Sequence, residues 1–231
     1  DEALQNNTTA NDNTAVGRRS LKTNTTGTQL VAIGSYSLHN NQGDFNLGMG
    51  VNTLSSNDSG SYNVAMGMQS LTSNTTACYN TGVGYQTLYS NTTGQYNIGI
   101  GFCSLYCNVT GESNIAIGYK AGLCVTNHSN VILGHQAGQC ASAVCHSIII
   151  GRSAGECLVD GSNMVIIGNH ALKCSTNTWN LGGVAIGYIN SCKATCFMNM
   201  TNIGTWSPSS LTCGVCSTMI GSNTFNCICN I

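Results

Sequence analysis

Charge is scarce in this sequence. Among 231 residues there are 7 Lys and Arg and 8 Asp and Glu, for a net charge of −1. That leaves no basic field for nucleic acid and no polybasic stretch for an anionic membrane. Arg18 and Arg19 form the one adjacent basic pair, which an exposed loop explains. No apolar run reaches 18 residues, which excludes a transmembrane helix, so membrane insertion is not expected. Helical periodicity is absent throughout, and proline occurs once, at Pro208. Low charge favours association.

What is present is a repeat. The phrase Asn-Ile-Ala-Ile-Gly at 114–118 returns in variants that end at Gly17, Gly34, Gly50, Gly67, Gly84, Gly101, Gly118, Gly134, Gly151, Gly168, Gly187, Gly204 and Gly221. The spacing is 16 to 19 residues. A period of this size marks a solenoid, in which each unit buries its apolar face against its neighbours. The expected fold is all-β: a parallel β-solenoid (β-roll or β-helix) of about thirteen 17-residue rungs over 1–231. At roughly 4.8 Å per rung it would be on the order of 60 Å long.

Counting from each glycine separates the rung into columns. The residue one before is always apolar, as at Ile33, Met66 and Ile117; the residue three before is β-branched everywhere except Leu47. Alternating β-branched residues signal a strand, and this pair of positions is expected to fill the interior. The residue between them is small early on (Ala32, Gly48) and becomes Ile132, Ile149 and Ile166 mid-chain. It is expected to point outward and to be covered there. Four before the glycine stands Asn13, Asn46, Asn63, Asn80, Asn97, Asn114 or Asn130, a column suited to a corner with stacked amides. Four after it stands Leu21, Leu38, Leu54, Leu71, Leu88, Leu105 or Leu172, replaced by Gly122, Gly138 and Gly155 in the middle rungs. The cross-section is expected to change there. The rest of each unit, such as Ser90 to Gly94, reads as an exposed polar turn.

These phrases carry a resemblance. Asn-Thr-Ala-Val-Gly at 13–17, Gly-Tyr-Gln-Thr-Leu at 84–88 and Asn-Thr-Thr-Gly at 91–94 resemble the head repeats of trimeric autotransporter adhesins and the similar repeats of tail-fibre-like surface proteins. The resemblance covers residues of about 1–190. It implies a parallel β-roll, trimeric, displayed on a surface and often adhesive. The chain departs from the bacterial pattern in its 14 cysteines.

Two further columns bear on function. Seven after the glycine, Asn7, Asn24, Asn57, Asn74, Asn91 and Asn108 each open an Asn-x-Ser/Thr sequon; Asn127 and Asn199 add sequons off the column. The sequon is an acceptor for N-linked glycan, and Asn-Thr-Thr-Gly is also plain turn chemistry. Cys107, Cys124, Cys140, Cys157 and Cys174 stand six after their glycines, and Cys192 five after. Equivalent Cα atoms on adjacent rungs are close enough for a disulfide. One frame pairs Cys107–Cys124, Cys140–Cys157 and Cys174–Cys192; the other pairs Cys124–Cys140 and Cys157–Cys174. Cys196 and Cys213 form a further pair. The Cys213/Cys216 spacing suits zinc, but no second pair follows it. Sequons dominate 1–117 and cysteines 118–231. Together they point to a secreted chain, extracellular or on a cell or virion surface, with N-linked glycans at the sequon column.

The eight acids do not pair on neighbouring rungs, so the two carboxylates of a glycosidase are not evident. No Ser/His/Asp set and no nucleotide loop is present either, and neither an enzyme nor a cofactor is expected. The leading expectation is a structural subunit of an extracellular, glycosylated, disulfide-stabilised fibre. Its partner is itself, joined head to tail, because a solenoid has open strand edges. The alternative is a trimeric surface adhesin or receptor-binding fibre head, with Ile132, Ile149 and Ile166 as its lateral contact.

Overall fold

The computed structural model describes residues 2–173, 182–189, 197–199, 201–205, 214–215 and 218–221. The chain divides into two compact units, 1–113 and 114–231. Each is a parallel β-solenoid with the expected repeat, and no helix occurs among the described residues.

In the first unit every turn contributes one three-residue strand that ends just before the repeat glycine. The strands are Thr14–Val16, Val31–Ile33, Leu47–Met49, Val64–Met66, Thr81–Val83 and Ile98–Ile100. Each pairs in parallel with the strand one turn on, like residue against like: Ala32 with Gly48, Met49 with Met66, Val83 with Ile100. The second unit repeats this with Ile115–Ile117, Val131–Leu133, Ile148–Ile150, Val165–Ile167, Val184–Ile186, Thr201–Ile203 and Thr218–Ile220. It adds two short parallel pairs, Ala143–Cys145 with Asp160–Ser162 and Phe197–Met198 with Gly214–Val215.

The strands face the opposite way from the expectation. The middle residue is the buried one: Ala32, Ala65, Ala116, Ile132, Ile149 and Ile166 have no exposed surface. The apolar residues on either side of it look outward, and Ile33 and Ile100 are each 37% exposed. The reason is space. In the first unit a typical turn also sends inward the asparagine four before the glycine, the Ser/Thr and Leu three and four after it, and the asparagine seven after it. That leaves room in the strand for only a methyl or a hydrogen. Ile132, Ile149 and Ile166 are therefore core residues and form no lateral contact.

The middle rungs keep the same volume by trading sizes. A Cβ at Gly48 would stand 3.2 Å from Leu38 Cγ, and one at Gly99 3.4 Å from Leu88 Cγ, so each Leu packs against the small strand residue of the following turn. Where the Leu becomes glycine, the strand residue of the next turn becomes isoleucine. A Cβ at Gly138 would lie 3.5 Å from Ile149 Cδ1, and one at Gly155 3.5 Å from Ile166 Cδ1. Cores tolerate such exchanges when total volume is kept.

Gly138→Leu is expected to destabilise by about 1–3 kcal/mol through overpacking. Its backbone is no obstacle, since Gly138 has φ +54° and Leu88 sits at φ +51° at the same place in its own turn. Ile149→Ala alone is expected to cost about 2–5 kcal/mol through its cavity. The double variant recreates the surroundings of Leu172, which has Ile166 in its own turn and Ala185 in the next. It should recover much of the loss in urea unfolding. Strictly additive losses would contradict the exchange of volume.

Candidate functional site

The sequon column lies inside the fold. Asn24, Asn57, Asn74, Asn91 and Asn108 are fully buried. Each side-chain amide donates twice: to the side-chain oxygen of the preceding column member and to a carbonyl three residues ahead. Asn74 Nδ2 donates to Asn57 Oδ1 at 2.7 Å and Ala77 O at 3.0 Å. Asn91 Nδ2 donates to Asn74 Oδ1 at 3.1 Å and Gly94 O at 3.0 Å. Asn108 Nδ2 donates to Asn91 Oδ1 at 3.3 Å and Gly111 O at 2.9 Å. In the same way Asn24 Nδ2 reaches Asn7 Oδ1 at 3.2 Å and Gly27 O at 2.9 Å. The nitrogen that a glycan would occupy thus holds neighbouring turns together, and a glycan there and this fold exclude each other.

The expectation of glycan at those five positions is corrected accordingly. A signal against it was present in the sequence: Asn41 occupies the same column, buried, without a sequon. In the first unit the column is asparagine at every turn, and the Ser or Thr two places on belongs to the exposed turn. Of the other sequons, Asn7 and Asn127 are half-buried and Asn199 is exposed.

The second asparagine column, four before the glycine, is stacked as expected but lies in the interior. Its oxygens take backbone N–H groups of the next turn: Asn63 N to Asn46 Oδ1 at 2.9 Å, Asn80 N to Asn63 Oδ1 at 3.0 Å, and Asn97 N to Asn80 Oδ1 at 2.9 Å. Its amides tie the strand to the opposite corner, as in Asn80 Nδ2 to Gly94 O at 2.9 Å. Two internal amide ladders satisfy most of the buried polar groups that so narrow a core would otherwise strand, Asn108 Oδ1 at the end of the first being an exception.

The cysteine column keeps its register in the second unit. Cys124 N–H donates to Gln139 O at 3.0 Å, Cys140 N–H to Glu156 O at 2.7 Å, and Cys157 N–H to Lys173 O at 2.8 Å. Cys140 is exposed, while Cys124 and Cys157 are half-buried. Although Cys140 is exposed as a residue, partial desolvation of its sulfur pushes the thiol above its ordinary range; Cys124 and Glu156 add to this, and a hydrogen bond with Cys157 opposes it. Cys107, half-buried in the first unit, and Cys140 both carry thiols. Cys174, Cys192, Cys196 and Cys213 lie outside the described residues. Among the described residues, no group of three or more His, Cys, Asp or Glu could hold a metal ion.

The outstanding surface is the outer face of the strands. In the first unit Val16, Ile33, Met49, Met66 and Ile100 form an exposed apolar row, with half-buried Val31, Leu47, Val64 and Ile98 beside it. The second unit continues the pattern with exposed Ile117 and Ile148. Monomeric soluble proteins rarely leave so continuous an apolar face uncovered.

Residues just outside the strand extend it, and the sequence reading missed them. Five before the glycine, Phe45, Tyr62, Tyr79 and Tyr96 stack ring on ring, with centroids 4.7, 5.0 and 5.2 Å apart and planes within 8°. One after the glycine stand Val51, Met68, Tyr85 and Phe102; Tyr85 and Phe102 stack at 5.1 Å. The signal for both columns was their recurrence at fixed distance from the glycine.

Compared with protein-family models, curated proteins and solved structures, the chain matches none.

Proposed function

We propose that the protein is a structural, non-catalytic element of an extracellular fibre or fibre head, built by copies of the chain packing side by side through the outer strand face. The observation that carries this reading is the apolar row from Val16 to Ile100, which a lone chain leaves in water. Burying it is worth about 25 cal/mol per Å². The trimer implied by the sequence resemblance is one closed form of such an assembly. The side-by-side contact is preferred to the expected head-to-tail junction because the outer strand face supplies an apolar surface for it.

The flanking columns favour one arrangement. In a closed ring of parallel chains in register, the residue five before a glycine meets the residue one after the equivalent glycine of the neighbour. Over the first six turns these positions match in character. Asp12 would meet Arg18, and Gln29 would meet Ser35. The apolar pairs follow: Phe45 with Val51, Tyr62 with Met68, Tyr79 with Tyr85, Tyr96 with Phe102. In the second unit the match is partial: Ser129 with His135 and Asn163 with Asn169 are polar pairs, whereas His146 would meet Arg152 and Gly182 would meet Tyr188. Antiparallel chains would set apolar flanks against polar ones.

Light scattering on the purified chain is expected to give a discrete oligomer. The double variant Ile33→Lys, Ile100→Lys should be monomeric, with its β-sheet circular dichroism unchanged, because both side chains are exposed in the single chain. A monomeric parent chain at all concentrations would end this reading. Asp12→Arg and Arg18→Asp should each weaken the oligomer severalfold, and the two together should restore it, as expected of exposed ion pairs worth up to about 1 kcal/mol each. An oligomer indifferent to both single changes would remove the parallel register and leave the face itself standing.

A further inference from the structure

Cys124, Cys140 and Cys157 occupy one place in three consecutive turns of the second unit, and their backbones are locked in register by the hydrogen bonds given above. Turns are spaced about 4.8 Å apart. Neighbours in the column therefore fall within the roughly 4.4–6.8 Å that a disulfide spans between Cα atoms, and members two turns apart do not. It follows that Cys124 cannot bond Cys157. Any disulfide among the three must include Cys140, and only one can exist at a time.

Cys140 is also the member a reagent can reach, being exposed where the other two are half-buried. Its thiol already shares a hydrogen bond with Cys157 and feels Cys124 on its other side. Next to the column, Lys173 and Glu156 form an ion pair at 3.4 Å, and the Glu156 carboxylate disfavours the Cys140 thiolate.

We propose that Cys140 is the entry and exchange point of a disulfide that moves between turns, loaded by a small-molecule disulfide such as oxidised glutathione. The Cys140 thiolate attacks one glutathione sulfur, forming a mixed disulfide and releasing one glutathione thiolate. The Cys157 or Cys124 thiolate then attacks the Cys140 sulfur, the bond to glutathione breaks, and a second glutathione leaves. Two cysteine thiols are oxidised and one glutathione disulfide is reduced to two glutathione thiols; the protons the cysteines give up are taken by the departing glutathione thiolates, so none is released overall. The cysteine left over can in turn attack Cys140 and expel its partner, which moves the staple by one turn with no net redox change. Because partial desolvation of the sulfur, with Cys124 and Glu156 nearby, raises the Cys140 thiol although the residue is exposed, loading is slow at neutral pH and accelerates as pH rises.

This inference does not depend on the assembly reading. Its test is peptide mapping of the full chain after equilibration with a reduced and oxidised glutathione buffer, with alkylation of the remaining thiols. The parent chain is expected to give both the 124–140 and the 140–157 linked peptides. Cys124→Ser should leave only 140–157, and Cys157→Ser only 124–140. Cys140→Ser should give neither, with its circular dichroism unchanged because the substitution is nearly isosteric. If Cys140 stays alkylatable while Cys124 and Cys157 are both oxidised, the proposal is overturned. A fixed ratio of the two linkages that does not re-equilibrate when Cys140–Cys157 material is placed in fresh buffer would overturn the moving staple.

Discussion

Gly84→Ala is expected to abolish the cooperative fold of the first unit. Gly84 has φ +130°, a backbone conformation that L-residues rarely adopt. Space is the harder constraint. A Cβ there would lie 2.8 Å from the carbonyl carbon of Gly101, one turn on, and closer still to its oxygen. The obstacle is backbone, so no rotamer relieves it. The turns would have to separate, breaking strand pairing and both asparagine ladders at that level. In a stack where each repeat is stabilised by its neighbours, a break between two turns removes support from both sides. The cost should exceed about 4 kcal/mol, the range reserved for severe backbone or core damage. Urea unfolding followed by circular dichroism measures it. Thr76→Ala, at an exposed turn of the same unit, should stay within about 0.5 kcal/mol of the parent. A Gly84→Ala chain as stable as that control would show that the turns do not approach as closely as described.

The same glycine explains what could be read from the sequence. Only glycine fits both the φ and the neighbour's carbonyl, so it recurs without exception and fixes the register of every other column. From that register the solenoid, the parallel strands and the alignment of Cys124, Cys140 and Cys157 follow directly. The direction in which the strand faces does not. Alternation says that Ile115 and Ile117 share a side, and Ala116 the other, without saying which side is core. Large β-branched residues are ordinarily inside, and here the interior is already filled by residues outside the strand, Leu88 and Asn91 among them. An apolar surface meant for another chain has the same composition as a core. The sequons misled for a related reason: Asn-Thr-Thr describes both a glycan acceptor and a buried amide followed by an exposed turn. The Leu-to-Gly and Ala-to-Ile replacements were visible as two separate irregularities. They become one exchange only when residue four after one glycine is set against the strand of the next turn, as Gly138 is against Ile149.

Asn74→Ala should cost about 3–5 kcal/mol, and Asn74→Asp should cost as much at neutral pH but recover in acid. Asn74 sits in the middle of the first unit's amide ladder, fully buried. Its Nδ2 serves Asn57 Oδ1 and Ala77 O, and its Oδ1 serves Asn91 Nδ2. Alanine removes all three bonds and strands buried partners, at about 1–3 kcal/mol for each group left unsatisfied. Aspartate has nearly the same shape but no donor when ionised. Its carboxylate would face the two oxygens that the amide now serves, in a fully buried site. Burial and these acceptors raise its folded pKa above the unfolded value of about 3.9. A raised acid pKa means that the folded state holds its proton while the unfolded state has lost it. Stability therefore falls as pH rises above about 3.9, by about 1.4 kcal/mol per unit until the folded pKa is reached. Below about pH 3.9 the neutral acid donates one bond and much of the loss is regained. The alanine variant has no such group and should show no recovery relative to the parent chain. Denaturant titrations of all three proteins across pH 3 to 7 separate these cases. If aspartate and alanine lose equally little at every pH, the Asn74 amide is exposed and the glycan reading returns; acid recovery confined to aspartate places that amide inside the ladder.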